Sequence, residues 1–236
     1  MKKIILLAIF AIFPFKFQNA NVVDDVHFLS DDTIIMHGID VSYYQGTIDW
    51  AKIDTTVSFV ICKATEGITK IDPKFNYNWQ NCPLIKGAYH FFRPQYSGID
   101  QAKLFLSVAL VDSGNIMPVI DVEMTKSWKD DPKKGAKNLT EMVEYIEKTI
   151  GITPIIYTSG HFWNLYVSPH YVDKCHIIWV ADYRKIEEPK SPENTDWTIW
   201  QYSDKGTVSG IDGYVDKNIC KNIESILIKE RIIKTD

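Results

Sequence analysis

The run Ile177-Ile178-Trp179-Val180-Ala181 is continuously apolar, and Asp182 follows it directly. A short unbroken apolar run is typical of a parallel strand that is covered on both faces. The charged residue stands at the carboxyl end of the run. The pattern therefore predicts a buried strand with a polar group where the strand ends.

Similar β-rich runs recur along the chain, and helical patterns separate several of them. Apolar residues at helical spacing occur over Ile99–Val111 and Leu139–Ile150, and Ile219–Ile233 is predicted as a closing C-terminal helix. Strands that alternate with helices indicate βα units and a parallel sheet. We expect an α/β fold, a single (β/α) TIM-like barrel with a reduced number of helices. The strand-like runs are Ile34–Val41, Ser58–Ala64, Ile85–Phe92, Ile116–Val122, Thr153–Thr158, Ile177–Ala181, Trp197–Tyr202 and a weaker one around Gly213–Asp216.

The composition is that of an ordinary globular protein. The chain has 236 residues, of which 45% are hydrophobic and 24% charged, and one barrel of this length is common. The net charge is -4, so no basic face is implied and we expect no nucleic-acid partner. We also expect no cofactor and a monomeric protein.

The N-terminus differs from the rest of the chain. Met1-Lys2-Lys3 is basic, and the apolar run Ile4–Phe13 is too short to span a bilayer comfortably. This layout predicts a signal peptide over residues 1–20, a short linker over 21–33 and a catalytic barrel over 34–236. The protein is then secreted or periplasmic, without stable membrane insertion.

Four cysteines accompany this predicted export: Cys62, Cys82, Cys175 and Cys220. An oxidising compartment makes them candidates for disulfides, and four cysteines allow three pairings. Buried free thiols are the alternative, and both remain open. No C-x-x-C motif is present, so a zinc site is not suggested.

Polar and aromatic side chains occur late in nearly every predicted strand. Any one of them alone is best explained as a solvated strand end. In a barrel, however, the carboxyl ends of the strands meet at one face, where active sites are built. These residues are Asp40, Lys63, Thr65, Glu66, Tyr89, His90, Asp121, Glu123, Tyr157, Trp179, Asp182, Gln201 and Asp216.

The segment Asp121-Val122-Glu123 carries the chemistry that this face suggests. Carboxylates at i and i+2 of a strand point to one side, roughly 6.6 Å apart along the backbone. Such close acids cannot both ionise without cost, so we expect one pKa to rise and the other to fall. A neutral acid beside a charged carboxylate suits glycoside cleavage. A lone D-x-E is a weak signal, and a divalent-metal site is an alternative.

The whole set of motifs resembles glycoside hydrolase family 25, the Chalaropsis-type lysozymes. The chain has seven Trp and twelve Tyr, and aromatic rings with polar tips suit sugar faces. The resemblance extends over nearly all of Gly38 to Asn218, and the order and spacing of its parts are highly specific. The parts are Gly38-Ile39-Asp40-Val41-Ser42-Tyr43-Tyr44-Gln45-Gly46; Phe59-Val60-Ile61-Cys62-Lys63-Ala64-Thr65-Glu66-Gly67; Asp72-Pro73-Lys74-Phe75; Gly87-Ala88-Tyr89-His90-Phe91; Pro118-Val119-Ile120-Asp121-Val122-Glu123; Ile156-Tyr157-Thr158; Trp179-Val180-Ala181-Asp182-Tyr183; and Trp200-Gln201-Tyr202-Ser203 followed by Gly210 and Val215-Asp216-Lys217-Asn218.

The resemblance implies a barrel with fewer helices than a regular TIM barrel, and β-1,4 cleavage after N-acetylmuramic acid in peptidoglycan. It implies that Glu123 is the general acid, that Asp121 is its partner and that Asp40 and Asp216 are flanking acids. Asp212 is an alternative to Asp216, which we prefer for its Val-Asp-x-Asn context.

The resemblance also implies that Tyr89, Tyr157 and Trp179 contact the sugar, and we expect Gln201 to bind substrate as well. It favours a retaining mechanism that uses the 2-acetamido group of the substrate. The rival functions are a chitinase-like hydrolase, a metal-dependent hydrolase and a non-catalytic glycan-binding barrel. Comparing activity on chitin and on peptidoglycan, with and without chelator, separates them.

Overall fold

The structure, a computed structural model, describes residues 35–109, 112–172, 176–193 and 195–229. The predicted signal peptide (1–20), the predicted linker (21–33) and Cys175 lie outside the described residues. None of the described helices is long and apolar enough to cross a membrane.

Eight strands form a closed barrel, which confirms the predicted TIM-like architecture. The two ends of the sheet meet because the first strand pairs with both the second and the last. A ninth, two-residue strand, Lys70–Ile71, only extends the second strand as a hairpin. In chain order the strands are β1 Ile35–Val41, β2 Val57–Glu66, β3 Lys70–Ile71, β4 Ile85–Phe91, β5 Val119–Asp121, β6 Ile155–Thr158, β7 Ile178–Ala181, β8 Ile199–Gly206 and β9 Val215–Lys221.

The last strand corrects the prediction of a parallel sheet. β9 runs antiparallel to both of its neighbours, β8 and β1, whereas the other barrel pairs are parallel. The connection between β8 and β9 is a short loop without a helix, and such a link joins antiparallel strands. Asp216 therefore lies near the start of its strand, and this start is beside the carboxyl ends of the others.

Few helices surround the barrel. The helix predicted at Leu139–Ile150 begins earlier, at Pro132, where Asp131 caps the first turn and proline occupies the first helical position. It ends at Gly151, whose φ of 72° is readily adopted by glycine. The α-helices are α1 Phe75–Asn81, α2 Gly98–Val108, α3 Lys126–Asp130, α4 Pro132–Ile150 and α5 Gly160–Phe162, which continues into the π-helical turn Trp163–Val167.

The predicted closing helix Ile219–Ile233 is wrong within the described residues. Residues 219–221 belong to β9, and only a short 3-10 turn, Ile223–Ile226, follows. Ile223 and Ile226 pack into the barrel interior together with Ile116, which lies just before the start of β5. The apolar residues that suggested a helical face instead close the end of the barrel at which the parallel strands begin.

Two separate cores follow from the alternation of side chains along the strands. Phe59 and Ile61 of β2 point into the barrel, whereas Val60 and Cys62 point outward to the helices. The outer core is tightest where α2 crosses α4, because a Cβ on Gly98 would lie 1.8 Å from the carbonyl oxygen of Asn138.

The three described cysteines are Cys62, Cys82 and Cys220, and each is a buried free thiol. Cys62 and Cys82 belong to the outer core, whereas Cys220 belongs to the barrel interior. Among the described residues no disulfide is formed, which agrees with the second of the two alternatives.

Candidate active site

The polar residues of the barrel mouth continue the inward-facing pleat of each strand. On β2 the inward sequence is Phe59, Ile61 and then Lys63, and on β5 it is Val119 and then Asp121. Because the side-chain period of a strand is two, the next inward position above the apolar layer faces the mouth. Each of the eight barrel strands thus delivers at least one polar or aromatic side chain to a common site.

These side chains line a cleft of 260 Å³ at the mouth of the barrel. All four predicted acids and all four predicted sugar-contacting residues lie in it. The lining residues are Asp40, Ser42, Tyr44, Lys63, Tyr89, Phe91, Asp121, Glu123, Tyr157, Trp179, Tyr183, Gln201, Asp204 and Asp216.

Asp40 and Asp216 are directly opposite each other on β1 and β9. Oδ2 of Asp40 accepts hydrogen bonds from the side-chain amides of Gln201 and Asn218, each at 2.8 Å. Burial and then the charge of Asp216 raise the pKa of Asp40 well above its usual value. Burial also raises the pKa of Asp216, and the hydrogen bond with Asp40 offsets only part of that rise. Both carboxyls of the pair therefore have a higher pKa than an exposed aspartate.

Asp121 and Glu123 both have raised pKa values, which differs from the expectation that one would fall. Burial is the main cause for both, and the charge of Glu123 raises the pKa of Asp121 further. Lys63 and Arg93 oppose the rise at Glu123. The spacing argument treated the two carboxyls as an isolated pair, but desolvation by the barrel wall acts on both.

Asp121 is the more buried of the two, and one of its oxygens has no protein partner. Its side chain is 6% exposed, and Oδ1 makes no hydrogen bond to any described residue. A buried acceptor without a donor is costly in the free protein.

A cluster of cations holds Glu66 beside the acids. Lys63 Nζ donates to Oε2 of Glu66 at 2.9 Å, while Lys70 Nζ and Arg93 Nη2 donate to Oε1 at 3.0 and 2.6 Å. Burial would raise the pKa of Glu66, but these hydrogen bonds outweigh it and lower the pKa to about 2. Lys63 and Arg93 also lie over the ring of Phe91, at 4.7 and 4.5 Å. Glu66 thus fixes two positive charges near Glu123 without letting them pair with it.

One wall of the cleft is aromatic. Tyr157 packs edge-on against Trp179 with ring centroids 4.7 Å apart. The hydroxyls of Tyr157 and Tyr183 both donate to Oε1 of Gln201, at 2.8 and 2.5 Å. Trp179 Nε1 donates to Oδ1 of Asn218. These bonds fix the rings, so the wall is preformed for a ligand with both apolar and hydroxyl surface.

Several polar residues at the predicted strand ends serve the scaffold instead. His90 is fully buried between Thr65 and Gln101, and burial lowers its pKa to about 4. Asp182 pairs with Arg184 outside the catalytic cleft. Asp212 is exposed and does not line the cleft, whereas Asp216 does. The geometry therefore favours Asp216 as the fourth acid.

Sequence reasoning missed the part played by two residues of the site. Asn218 joins Asp40 to Trp179, and Tyr183 donates to Gln201. Asn218 stands at i+2 from Asp216, the same spacing that singled out Asp121 and Glu123, so the strand period could have found it. Tyr183 follows β7 in a loop, where no strand period applies.

The described residues contain no group of three or more His, Cys, Asp or Glu side chains placed to hold a metal ion. The four acids are instead spread around the mouth, on β1, on β9, at the end of β5 and just beyond it.

Comparison with known proteins gives consistent results. Residues 39–211 match the sequence model of "Glycosyl hydrolases family 25". Over 91% of its length the chain is 33% identical to the uncharacterized protein YegX of Escherichia coli K12, of which the match covers 86%. It is 34% identical to "Lysozyme M1" of Streptomyces globisporus over 79% of this chain and 68% of that protein.

Solved structures share the barrel. The crystal structure of a bacterial lysozyme from Streptomyces coelicolor superposes with a TM-score of 0.69 at 31% sequence identity. That match covers 78% of this chain and 90% of the other. The matched sequence region, 39–211, contains Asp40, Asp121 and Glu123 but ends before Asp216.

Proposed function

The chain belongs to glycosyl hydrolases family 25, and on that premise we propose that Glu123 is the proton donor of a peptidoglycan-cleaving site. The protein is a lysozyme, a glycoside hydrolase that cuts the β-1,4 bond between N-acetylmuramic acid and N-acetylglucosamine. The observation that carries the assignment of roles is the gathering of Asp40, Asp121, Glu123 and Asp216 at one cleft.

Glu123 protonates the oxygen of the leaving sugar. Burial raises its pKa, which keeps the carboxyl protonated at a pH where an exposed glutamate is ionised. After the leaving sugar departs, the carboxylate accepts a proton from the water that attacks the sugar carbon. One residue thus acts as acid in the first step and as base in the second.

Asp121 orients the 2-acetamido group of the muramic acid. The acetamido oxygen attacks the anomeric carbon as the glycosidic bond breaks, and the resulting ring carries a positive charge on its nitrogen side. The carboxyl of Asp121, which lines the cleft, accepts the acetamido N–H and balances that charge. Water then opens the ring from the opposite face, so the product retains its anomeric configuration.

Asp40 and Asp216 supply a negative field opposite Asp121. Neighbouring carboxyls lose their protons one at a time, so this pair carries one negative charge over a range of pH. That charge stabilises the positive charge that develops on the sugar in the transition state. Tyr89, Tyr157, Trp179 and Gln201 hold the sugar ring by apolar contact and hydrogen bonds.

Mass spectrometry of fragments released from purified peptidoglycan tests this function. Muramic acid at the reducing end is expected, and N-acetylglucosamine there would contradict the proposed bond. NMR of the fresh product tests the mechanism separately, because an inverted anomer would rule out acetamido participation. Chitin as a second substrate distinguishes the chitinase-like alternative.

We also propose that the protein is exported through residues 1–20 and acts as a secreted or periplasmic monomer. The basic start and the short apolar run of the sequence support export. Mass spectrometry of the mature N-terminus and size-exclusion chromatography test these two points. A mature chain that still begins at Met1 would contradict export.

A further inference from the structure

A second and wider cleft opens from the catalytic cleft beside Glu123. Its volume is 1060 Å³, against 260 Å³ for the catalytic cleft, and Glu123, Tyr157 and Tyr183 line both. Its other walls are the residues after β5, the loop and turn after β6 and the loop after β7. The two clefts form one continuous surface with Glu123 at the junction.

The walls of the second cleft are fixed to one another. A Cβ on Gly160 would lie 2.3 Å from the carbonyl oxygen of Lys190, so the two loops touch with no room for a side chain. The backbone N–H of Glu193 donates to Oδ1 of Asn164, and that of Lys190 donates to Oδ2 of Asp182. A cleft braced in this way is already formed before a ligand arrives.

The buried carboxylate of Asp182 holds the side chain of Arg184 at the wall of this cleft. Asp182 accepts from Nε and Nη2 of Arg184, and these hydrogen bonds hold the pKa of Asp182 at about 2. A guanidinium has five N–H donors, so the pair leaves about three of them free for another group. The side chain of Arg184 is 53% exposed, which makes these donors accessible.

Lys190 adds a second positive charge to the same wall. Its side chain is exposed, and within the described residues its ammonium makes no ion pair. The catalytic cleft is more acidic, since Asp204 and the four acids line it with a single cation, Lys63. In the second cleft Asp182 and Glu193 accompany Arg184 and Lys190, so acids and cations there are closer to balance. An anionic part of a ligand would be repelled from the catalytic cleft and attracted to the wall with Arg184 and Lys190.

We propose that the second cleft binds the acidic peptide that muramic acid carries, with peptide carboxylates contacting Arg184 and Lys190. The inference rests on the proposed function, because it assigns a further part of the same substrate. The peptide is attached to the sugar whose bond is cut, so it must leave the catalytic cleft close to Glu123. The second cleft begins at Glu123 and has room for a peptide of several residues.

Paired substrates test this assignment. One is purified glycan strands with their peptides, and the other is the same strands after an amidase has removed the peptides. The variants are Lys190→Ala and Arg184→Lys, the second of which keeps a positive charge beside Asp182 but loses the planar fork. Lys185→Ala is the matched control, since Lys185 is exposed and lines neither cleft.

We expect each variant to raise KM for peptide-bearing strands about three- to tenfold, as for loss of a charge-assisted contact. The values of kcat, and of KM for stripped strands, should not change, and the control should match the wild type on both substrates. Equal changes in KM on both substrates, or no change on either, would overturn the inference while leaving the proposed function intact. A wild-type protein that cuts neither substrate would overturn the proposed function itself.

Discussion

The side-chain amide of Asn218 donates a 2.8 Å hydrogen bond to Oδ2 of Asp40, although the two residues are 178 positions apart in the chain. The carbonyl of the same amide accepts from Trp179 Nε1. One buried side chain thus connects an acid of the catalytic cleft to its aromatic wall. Replacing it removes a partner from both neighbours at once.

We expect Asn218→Leu to lower the free energy of unfolding by about 2–3 kcal/mol, because it leaves a buried donor unpaired and weakens the support of a buried carboxyl. Chemical denaturation measures this. Asn76→Leu, on the exposed face of α1, is the matched control and should change stability by less than about 0.5 kcal/mol. Equal losses in both variants would contradict the role given to Asn218.

Glu123→Gln keeps the size of the side chain but removes its transferable proton. We expect kcat on peptidoglycan to fall by about 10²–10⁴-fold, the usual contribution of a general acid, while binding of glycan strands persists. Reducing-end release and isothermal titration calorimetry measure the two effects. Glu224→Gln, which is exposed, should behave as the wild type. A Glu123→Gln protein with full activity would contradict the assignment of Glu123 as the proton donor.

The cluster around Glu66 predicts opposite pH shifts for two variants. With Glu123 as the proposed proton donor, we expect activity to fall as the pH rises through the pKa of that carboxyl. Lys63 carries a positive charge that lowers this pKa. Lys63→Met should therefore move the alkaline limb of the pH–rate profile, where activity falls, to higher pH. Glu66→Gln releases Lys63 and Arg93 toward Glu123, so the limb should move to lower pH.

The pH–rate profile of kcat/KM measures these shifts, and a purely structural role for Glu66 would lower the rate without moving the limb. Lys70→Met is the control, because Lys70 also contacts Glu66 but does not line the catalytic cleft. In the double variant, Lys63→Met should cancel most of the shift to lower pH that Glu66→Gln alone causes. Limbs that stay in place in both single variants would contradict this account.

We expect the ionised form of Asp121 to lower the free energy of unfolding at neutral pH. Burial raises its pKa above that of the unfolded chain, so stability falls as the pH rises from the unfolded pKa toward the folded one. We expect Asp121→Asn to raise Tm by about 2–6 °C at pH 7 and by less at pH 4. Calorimetry at the two pH values measures this, with exposed Asp130→Asn as control. A lower Tm at pH 7 would contradict the prediction.

The contact between α2 and α4 should tolerate no side chain at Gly98. Since the new Cβ would lie 1.8 Å from a backbone oxygen, Gly98→Ala must separate the helices, at a cost of about 3 kcal/mol or more. Gly213→Ala is the comparison: it has open space around it but a φ of 87°, so it should cost only about 1–2 kcal/mol. The difference in Tm between the two variants checks the packing.

The sequence determined the number of barrel strands, the approximate place of all but the last one, and the acids that follow or end them on the parallel part of the sheet. Continuous apolar runs such as Ile177–Ala181 are a local property, and the two-residue period of a strand fixes which side chains share a face. Asp121 and Glu123 were therefore identifiable without coordinates as carboxyls on one face of a strand. The same holds for the gathering of polar residues at the carboxyl ends of the strands. The spacing of the motifs was specific enough to indicate the family.

Only the tertiary structure decided how distant residues meet. The direction of β9, the position of Asp216 in the cleft and the bond from Asn218 to Asp40 all depend on closure of the sheet, which pairs the first strand with the last. The raised pKa of Asp121 also depends on it, because desolvation is set by everything packed around a carboxyl, whatever its separation in sequence. A one-dimensional pattern contains neither pairing partners nor the amount of water that packing excludes.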